Sequence, residues 1–328
     1  MPALATALML AILAQAEAPA PAPADRTSVL VVAGTPGTPE YAAEFRQAVD
    51  AWRAAAAKAP ADFRVIGIDG SPDEGATDRD ALHKALAETP TGGREAFWLV
   101  MVGHGTFDGK EAKFNLRGPD VTAAEMAEWL KPFTRPLAIL DGSSASGPFL
   151  NALSAPGRVV IVATRSGDEQ NYARLGLNLA EAVADPRADL DRDDQVSLLE
   201  AFLTAAGRTA EFYKSKSRLA TEHPLIDDDG DKLGTPADWF KGLRAVKKPA
   251  GGKSLDGSRA RQIHLIPNDR DRRMSPEARD RRDQLEREAA DLRGKKETLS
   301  EDEYYARLET IMLQLARIHG GDLPASER

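Results

Sequence analysis

The chain has 328 residues, a formal net charge of −8 and no cysteine. That length exceeds one ordinary domain. The acidic balance argues against nucleic acid as the main partner, because phosphate binding needs a basic face, while the missing thiols exclude disulfides, thiolate metal sites and a cysteine nucleophile.

Leu4 to Leu13 is an apolar run too short to span a bilayer, and Ala14-Gln15-Ala16 offers small residues for cleavage, although no Lys or Arg precedes the run. Residues 1–16 are expected to be a cleavable signal peptide and 17–27 a stiff Ala/Pro linker. The mature protein is then expected to be secreted or periplasmic, with no membrane span.

Ser28 to Gly34 reads as a first strand, and Pro39 to Lys58 as an amphipathic helix with Tyr41, Phe45, Val49 and Trp52 at helical spacing. Phe63 to Asp69 is a second strand. Thr77 with Asp80 caps a helix running to Glu88. Phe97 to Gly105 is an apolar strand ending in His104 between two glycines. Phe114 to Leu116 is a short extra strand, and Thr122 with Glu125 forms a capping box for a helix through Leu130. Leu137 to Leu140 is a buried strand that runs into the turn Asp141 to Gly147. Phe149 to Leu153 is a short helix, Arg158 to Thr164 a fifth strand and Asn171 to Ala184 the next helix. This alternation predicts an α/β fold, with a mostly parallel sheet and helices on both faces.

Beyond Ala184 lie an acidic loop at 189–200, a helix from Leu198 to about Ser217 and a second acidic stretch at Asp227, Asp229 and Asp231. Residues 244–274 are basic and, around Pro249 to Ser258, rich in Gly, Pro and Ser, so a solvated linker is expected. Residues 275–328 predict an αα-hairpin. Ser275-Pro276 starts its first helix and Leu299 to Tyr304 caps its second. The stripe Tyr304, Leu308, Ile311, Leu315 and Ile318 is expected to pack on the main domain or a partner.

His104 at one strand end and a serine turn at the next pair a candidate base with a candidate nucleophile. The remaining histidines, His83, His223, His264 and His319, have no metal-type partner at short spacing and read as surface residues.

Over roughly Ser28 to Phe212 the chain resembles the caspase- and legumain-like cysteine peptidases. The matching residues are Val102-Gly103-His104-Gly105, Ala138 to Asp141 through Ser146-Gly147, and the strand Val159 to Ser166. The resemblance implies a caspase-like sheet, a Cys–His dyad and cleavage after Asp, Asn, Arg or Lys. The chain departs where the cysteine belongs. Alignment on Ser146-Gly147 puts Ser144 there, and counting from Asp141 puts Ser143 there. A serine hydroxyl is far less acidic than a thiol and needs an oriented base and an oxyanion hole. Asp108 and Asp141 are candidates to orient His104.

Asp189, Asp191, Asp193, Ser197 and Glu200 match positions 1, 3, 5, 9 and 12 of an EF-hand calcium loop, with the Gln195 carbonyl at position 7. Asp194 stands where glycine makes the sharp turn. Without a bound cation, the same residues read as an acidic helix start in which Ser197 and Glu200 form a capping box. The expected function is a catalytically inactive pseudopeptidase with a Ca2+ loop, acting in protein or peptide binding. One alternative is an active serine-type peptidase using Ser144 or Ser143 with His104. Another is a structural calcium-dependent module.

Overall fold

The computed structural model describes residues 26–68 and 76–320. The expected signal peptide, most of the Ala/Pro linker, Asp69 at the end of the second strand and the tail from 321 lie outside the described residues. The elements run β1 (Thr27–Ala33), α1 (Pro39–Lys58), β2 (Ala61–Ile66), α2 (Asp78–Glu88), β3 (Phe97–Val102), β4 (Gly105–Phe107), β5 (Ala112–Phe114), β6 (Val121–Thr122) and α3 (Ala123–Leu130). They continue with β7 (Leu137–Asp141), α4 (Gly147–Leu153), β8 (Arg158–Val162), α5 (Leu175–Ala182) and α6 (Leu198–Ser215). After these come β9 (Leu225–Asp227), β10 (Thr235–Pro236), β11 (Phe240–Lys241), β12 (Arg244–Ala245), α7 (Asp269–Arg273), α8 (Pro276–Gly294) and α9 (Glu301–His319).

The main sheet has the order β2-β1-β3-β7-β8-β9-β10. Its first five strands are parallel, and β9 and β10 complete it in antiparallel pairings. Alternate side chains along a strand point to opposite faces, and the core divides accordingly. Val29, Val31, Trp98 and Val100 join Trp52 of α1, Leu179 of α5 and Phe202 of α6 in one layer. Leu30, Val32, Leu99 and Met101 join Leu82 of α2, Met126 of α3 and Leu150 of α4 in the other. The α/β class with a mainly parallel sheet is therefore as the alternation predicts.

Three expectations need correction. First, α5 begins at Leu175 rather than Asn171, because the Glu222 carboxylate accepts the N–H groups of Arg174 and Leu175 and fixes the start from a distant residue. Second, residues 244–274 are not a solvated linker. Ala260, Ile263 and Leu265 belong to the first core layer, and Leu198 N–H donates to the Ile263 carbonyl at 2.8 Å. Several of the segment's cations are partnered: Arg261 pairs with Asp191, and Arg272 donates to the Pro267 and Lys58 carbonyls. Third, the stripe of α9 packs against α8. Tyr304 and Ile311 close on Leu285, Ala289 and Leu292 to form a core of their own. Polar contacts hold this hairpin to the domain, among them Arg94–Glu277, Arg279–Glu95 and the buried Arg282–Asp271 pair.

Candidate functional site

Strands β3 and β7 are neighbours, with Met101 opposite Asp141. Their carboxyl ends therefore deliver His104 and the serine turn to the same sheet edge, where open α/β sheets gather ligands. Close backbone approach demands glycine here. A Cβ on Gly105 would lie 2.2 Å from the Ser144 carbonyl oxygen, and one on Gly142 would lie 2.5 Å from the Gly176 Cα. Within the turn Ala145 takes a left-handed φ of 54°, and its N–H donates to the Glu169 carbonyl.

The turn is sealed. Ser143, Ser144 and Ser146 are all buried, and each hydroxyl has a partner within the protein. The Ser143 Oγ donates to Asp141 Oδ1 at 2.6 Å, and Ser143 N–H donates to the same oxygen at 3.0 Å. The Ser144 Oγ donates to the Gly105 carbonyl at 3.2 Å and accepts Gly105 N–H at 3.1 Å. Ser146 Oγ accepts the N–H groups of Ala163 and Thr164, pinning the turn to the end of β8.

His104 faces elsewhere. Its Nε2 is 3.2 Å from the Pro36 carbonyl, and its ring packs at 4.7 Å, 5.3 Å and 5.6 Å from the rings of Tyr41, Phe45 and Tyr172. Burial among these groups lowers its pKa, which keeps the imidazole neutral. Among the described residues His104 has no hydrogen bond to either serine. Neither expected orienting acid reaches it: Asp108 accepts the N–H groups of Lys110 and Glu111, and Asp141 holds Ser143. Burial pushes Asp141 up to about 6, and its Oδ2 has no hydrogen-bond partner.

In the acidic loop, Asp189, Asp191 and Asp193 come together, with one carboxylate oxygen of each within 4.8 Å of the others. Asp189 accepts the N–H groups of Arg192, Asp193 and Asp194, and Asp194 adopts a left-handed φ of 68° in glycine's place. Two of the other expected ligands, Glu200 and Ser197, are engaged in other bonds. Glu200 is outside the group of three aspartates. Its Oε1 accepts Leu190 and Asp191 N–H, and its Oε2 accepts the N–H and hydroxyl of Ser197. Both Ser197 and Glu200 are thus committed to the capping box of α6. The Gln195 side chain spans Asp193 and Asn268.

Next to this loop, a cavity of about 60 Å3 is lined by Asp193, Glu200, His264, Arg282 and His319, among others. His264 therefore does not belong to the open surface, and burial pushes its pKa down to about 4. His223 is partly exposed, and its Nδ1 lies 2.5 Å from Glu169 Oε1. A pair separated by that much sequence leaves no local signal. The second acidic stretch converges differently from its sequence. Asp256, not Asp231, joins Asp227 and Asp229, while Asp231 accepts Leu233 and Lys253 N–H. Burial raises both Asp228 and Asp256, and the neighbouring Asp228 charge raises Asp256 further. In sequence Asp256 precedes Gly257 and reads as an ordinary turn.

No family model matches the chain, and no curated protein matches it. Among solved structures, it is similar to the Drosophila initiator caspase Dronc, with 14% identity and a TM-score of 0.40 over 64% of this chain and 82% of that one. Among the described residues no helix is long and apolar enough to cross a membrane.

Proposed function

We propose that the chain is a catalytically inactive caspase/legumain-like protein, a pseudopeptidase that binds protein or peptide and is stiffened by calcium at its acidic loop. One observation supports this above the rest: the Ser143 and Ser144 hydroxyls are buried and bonded to Asp141 and Gly105, while His104 bonds the Pro36 carbonyl. A working serine nucleophile needs its hydroxyl on the base and open to substrate. The test is labelling with a fluorophosphonate probe, with and without His104→Ala. No labelling of either serine is expected. Labelling of Ser143 or Ser144 that disappears with His104→Ala overturns the reading and makes the protein a serine-type hydrolase.

For calcium, the Asp189, Asp191 and Asp193 carboxylates suit a hard cation, which prefers oxygen ligands. Glu200 would join them only by leaving its capping bonds. A bound calcium ion would offset two of the three carboxylate charges and hold together the loop that leads into α6. Thermal melts with calcium and with chelator are expected to differ, and Asp189→Ala to abolish the difference. Equal melts at millimolar calcium refute the site. Export through residues 1–16 belongs to the same proposal, and N-terminal sequencing of the mature protein tests it.

A further inference from the structure

The second hairpin helix has two apolar sides. Tyr304 and Ile311 turn toward α8, but the other side is uncovered. Tyr305, Met312 and Leu313 are 49%, 41% and 53% exposed. Among the described residues they are three of the six exposed large hydrophobics, and the other three, Leu190, Leu219 and Val246, are scattered. Tyr305 and Met312 lie almost two turns apart and share a face. With Ala306, Leu308, Asp302 and Glu309 they line an open, shallow face along this one helix.

Three carboxylates, those of Glu301, Asp302 and Glu309, flank the apolar strip along this helix. Arg307 pairs with Glu303 on the same helix. The nearest cation, the Lys296 ammonium, sits 5.3 Å and 5.8 Å from the ring centroids of Tyr304 and Tyr305, so this end of the face already attracts a positive group.

We infer that this face docks a basic amphipathic helix of a partner protein, with apolar residues over Tyr305, Leu308 and Met312 and Lys or Arg opposite Asp302 and Glu309. An apolar strip on one helix, flanked by charge, is the geometry by which two helices pair along an apolar seam, and opposite charge across the rim selects the partner. A second copy fits poorly. A two-fold pairing centred on this face brings Glu309 against its own counterpart, and like charges repel. The tail at 321–328 carries Asp322 and Glu327 against Arg328, so it is not a basic segment either. The inference rests on reading the chain as a binding protein, but not on the serine turn or the calcium loop.

The test uses the full chain and a labelled synthetic helix of about four turns, with Leu at helical spacing and Lys elsewhere. A second peptide replaces every Lys with Glu. Fluorescence anisotropy is expected to give saturable binding of the Leu/Lys helix. Tyr305→Glu and Met312→Glu are each expected to weaken it about tenfold, and the Leu/Glu peptide to bind at least about tenfold more weakly, near 1.4 kcal/mol each. Circular dichroism checks that both variants keep their helices. Unchanged affinity in Met312→Glu would mean that the peptide sits elsewhere on an acidic surface, and it overturns the inference, as does equal binding of the Leu/Glu peptide. A dimer in sedimentation that Tyr305→Glu dissolves would make a second copy the occupant. Tighter binding after deletion of 321–328 would make the tail the occupant. His104-dependent probe labelling would leave these affinities as they are, so the two readings fail separately.

Discussion

Asp141 lies at the end of β7 with its carboxyl group fully enclosed, one oxygen holding Ser143 and the other without a partner. Replacing it with Asn keeps an acceptor for Ser143 and removes the charge. The displacement from the ordinary 3.8 to about 6, at 1.36 kcal/mol per pH unit, makes the ionised carboxylate cost about 3 kcal/mol at neutral pH. Between these values the native state keeps a proton that the unfolded chain has released, so wild-type stability falls as pH rises through that window. Asn introduces its own cost, because the new amide N–H group faces the position where Oδ2 had no partner, and an unmet buried donor costs about 1–3 kcal/mol. The two effects separate with pH. Near pH 4 Asp141→Asn is expected to be slightly less stable than wild type, and above pH 7 about equal or more stable.

The assay is urea unfolding of both proteins from pH 4 to pH 8. The stability difference is expected to swing by about 2 kcal/mol in favour of Asn across that range, because part of the window lies below pH 4. Asp227, Asp228 and Asp256 are raised in the same direction, so the wild-type slope alone does not isolate Asp141, whereas the difference between the two curves does. Parallel curves would refute the reasoning, because they would mean that the carboxylate titrates alike in both states.

Gly142→Ala puts a Cβ 2.5 Å from the Gly176 Cα and is expected to cost about 3 kcal/mol in urea unfolding; a loss below about 1 kcal/mol would mean that the turn and α5 separate easily. Arg135 is buried and donates to the carbonyls of Glu95 and Arg26. Arg135→Leu leaves those oxygens unmet and is expected to lower stability by about 3 kcal/mol, while an unchanged midpoint would argue against the bonds. Asp194→Gly relieves the left-handed φ of 68°. It is expected to change chelator-state stability by less than about 1 kcal/mol and to tighten calcium binding by calorimetry; weaker binding would show that the Asp194 charge matters more than the turn.

The strand ends were legible because the signals there are local. Short continuous apolar runs in Phe97–Val102 and Leu137–Leu140, each ending near glycine, mark buried parallel strands and place His104 and the serine turn at strand ends without knowledge of the rest of the chain. The hydroxyl partners were not legible. Ser144 meets Gly105 and Ser146 meets Thr164 only after the sheet has formed, so a serine-rich turn reads equally as a nucleophile loop or as a set of hydrogen-bonding pegs. The basic segment at 244–274 misled for a related reason. Its Gly, Pro and Lys content describes Pro249 to Ser258, but Ile263 and Leu265 further on enter the core, and Arg261 finds Asp191 across a large sequence separation.

The same distinction bears on the acidic loop. Ser197 and Glu200 satisfy two sequence patterns at once, because the ninth and twelfth positions of a calcium loop are also the cap and third residue of the helix that follows. Both capping contacts are formed here; they occupy Glu200 Oε2, while Oε1 accepts the N–H groups of Leu190 and Asp191, so neither oxygen of a bidentate calcium ligand is free. The three aspartates converge without that glutamate. Cation affinity should therefore depend strongly on Asp189, Asp191 and Asp193. Glu200→Gln should mainly weaken the start of α6, lowering chelator-state stability by about 1 kcal/mol while leaving most of the calcium-induced shift. Complete loss of that shift in Glu200→Gln would mean that the glutamate leaves its cap for the ion.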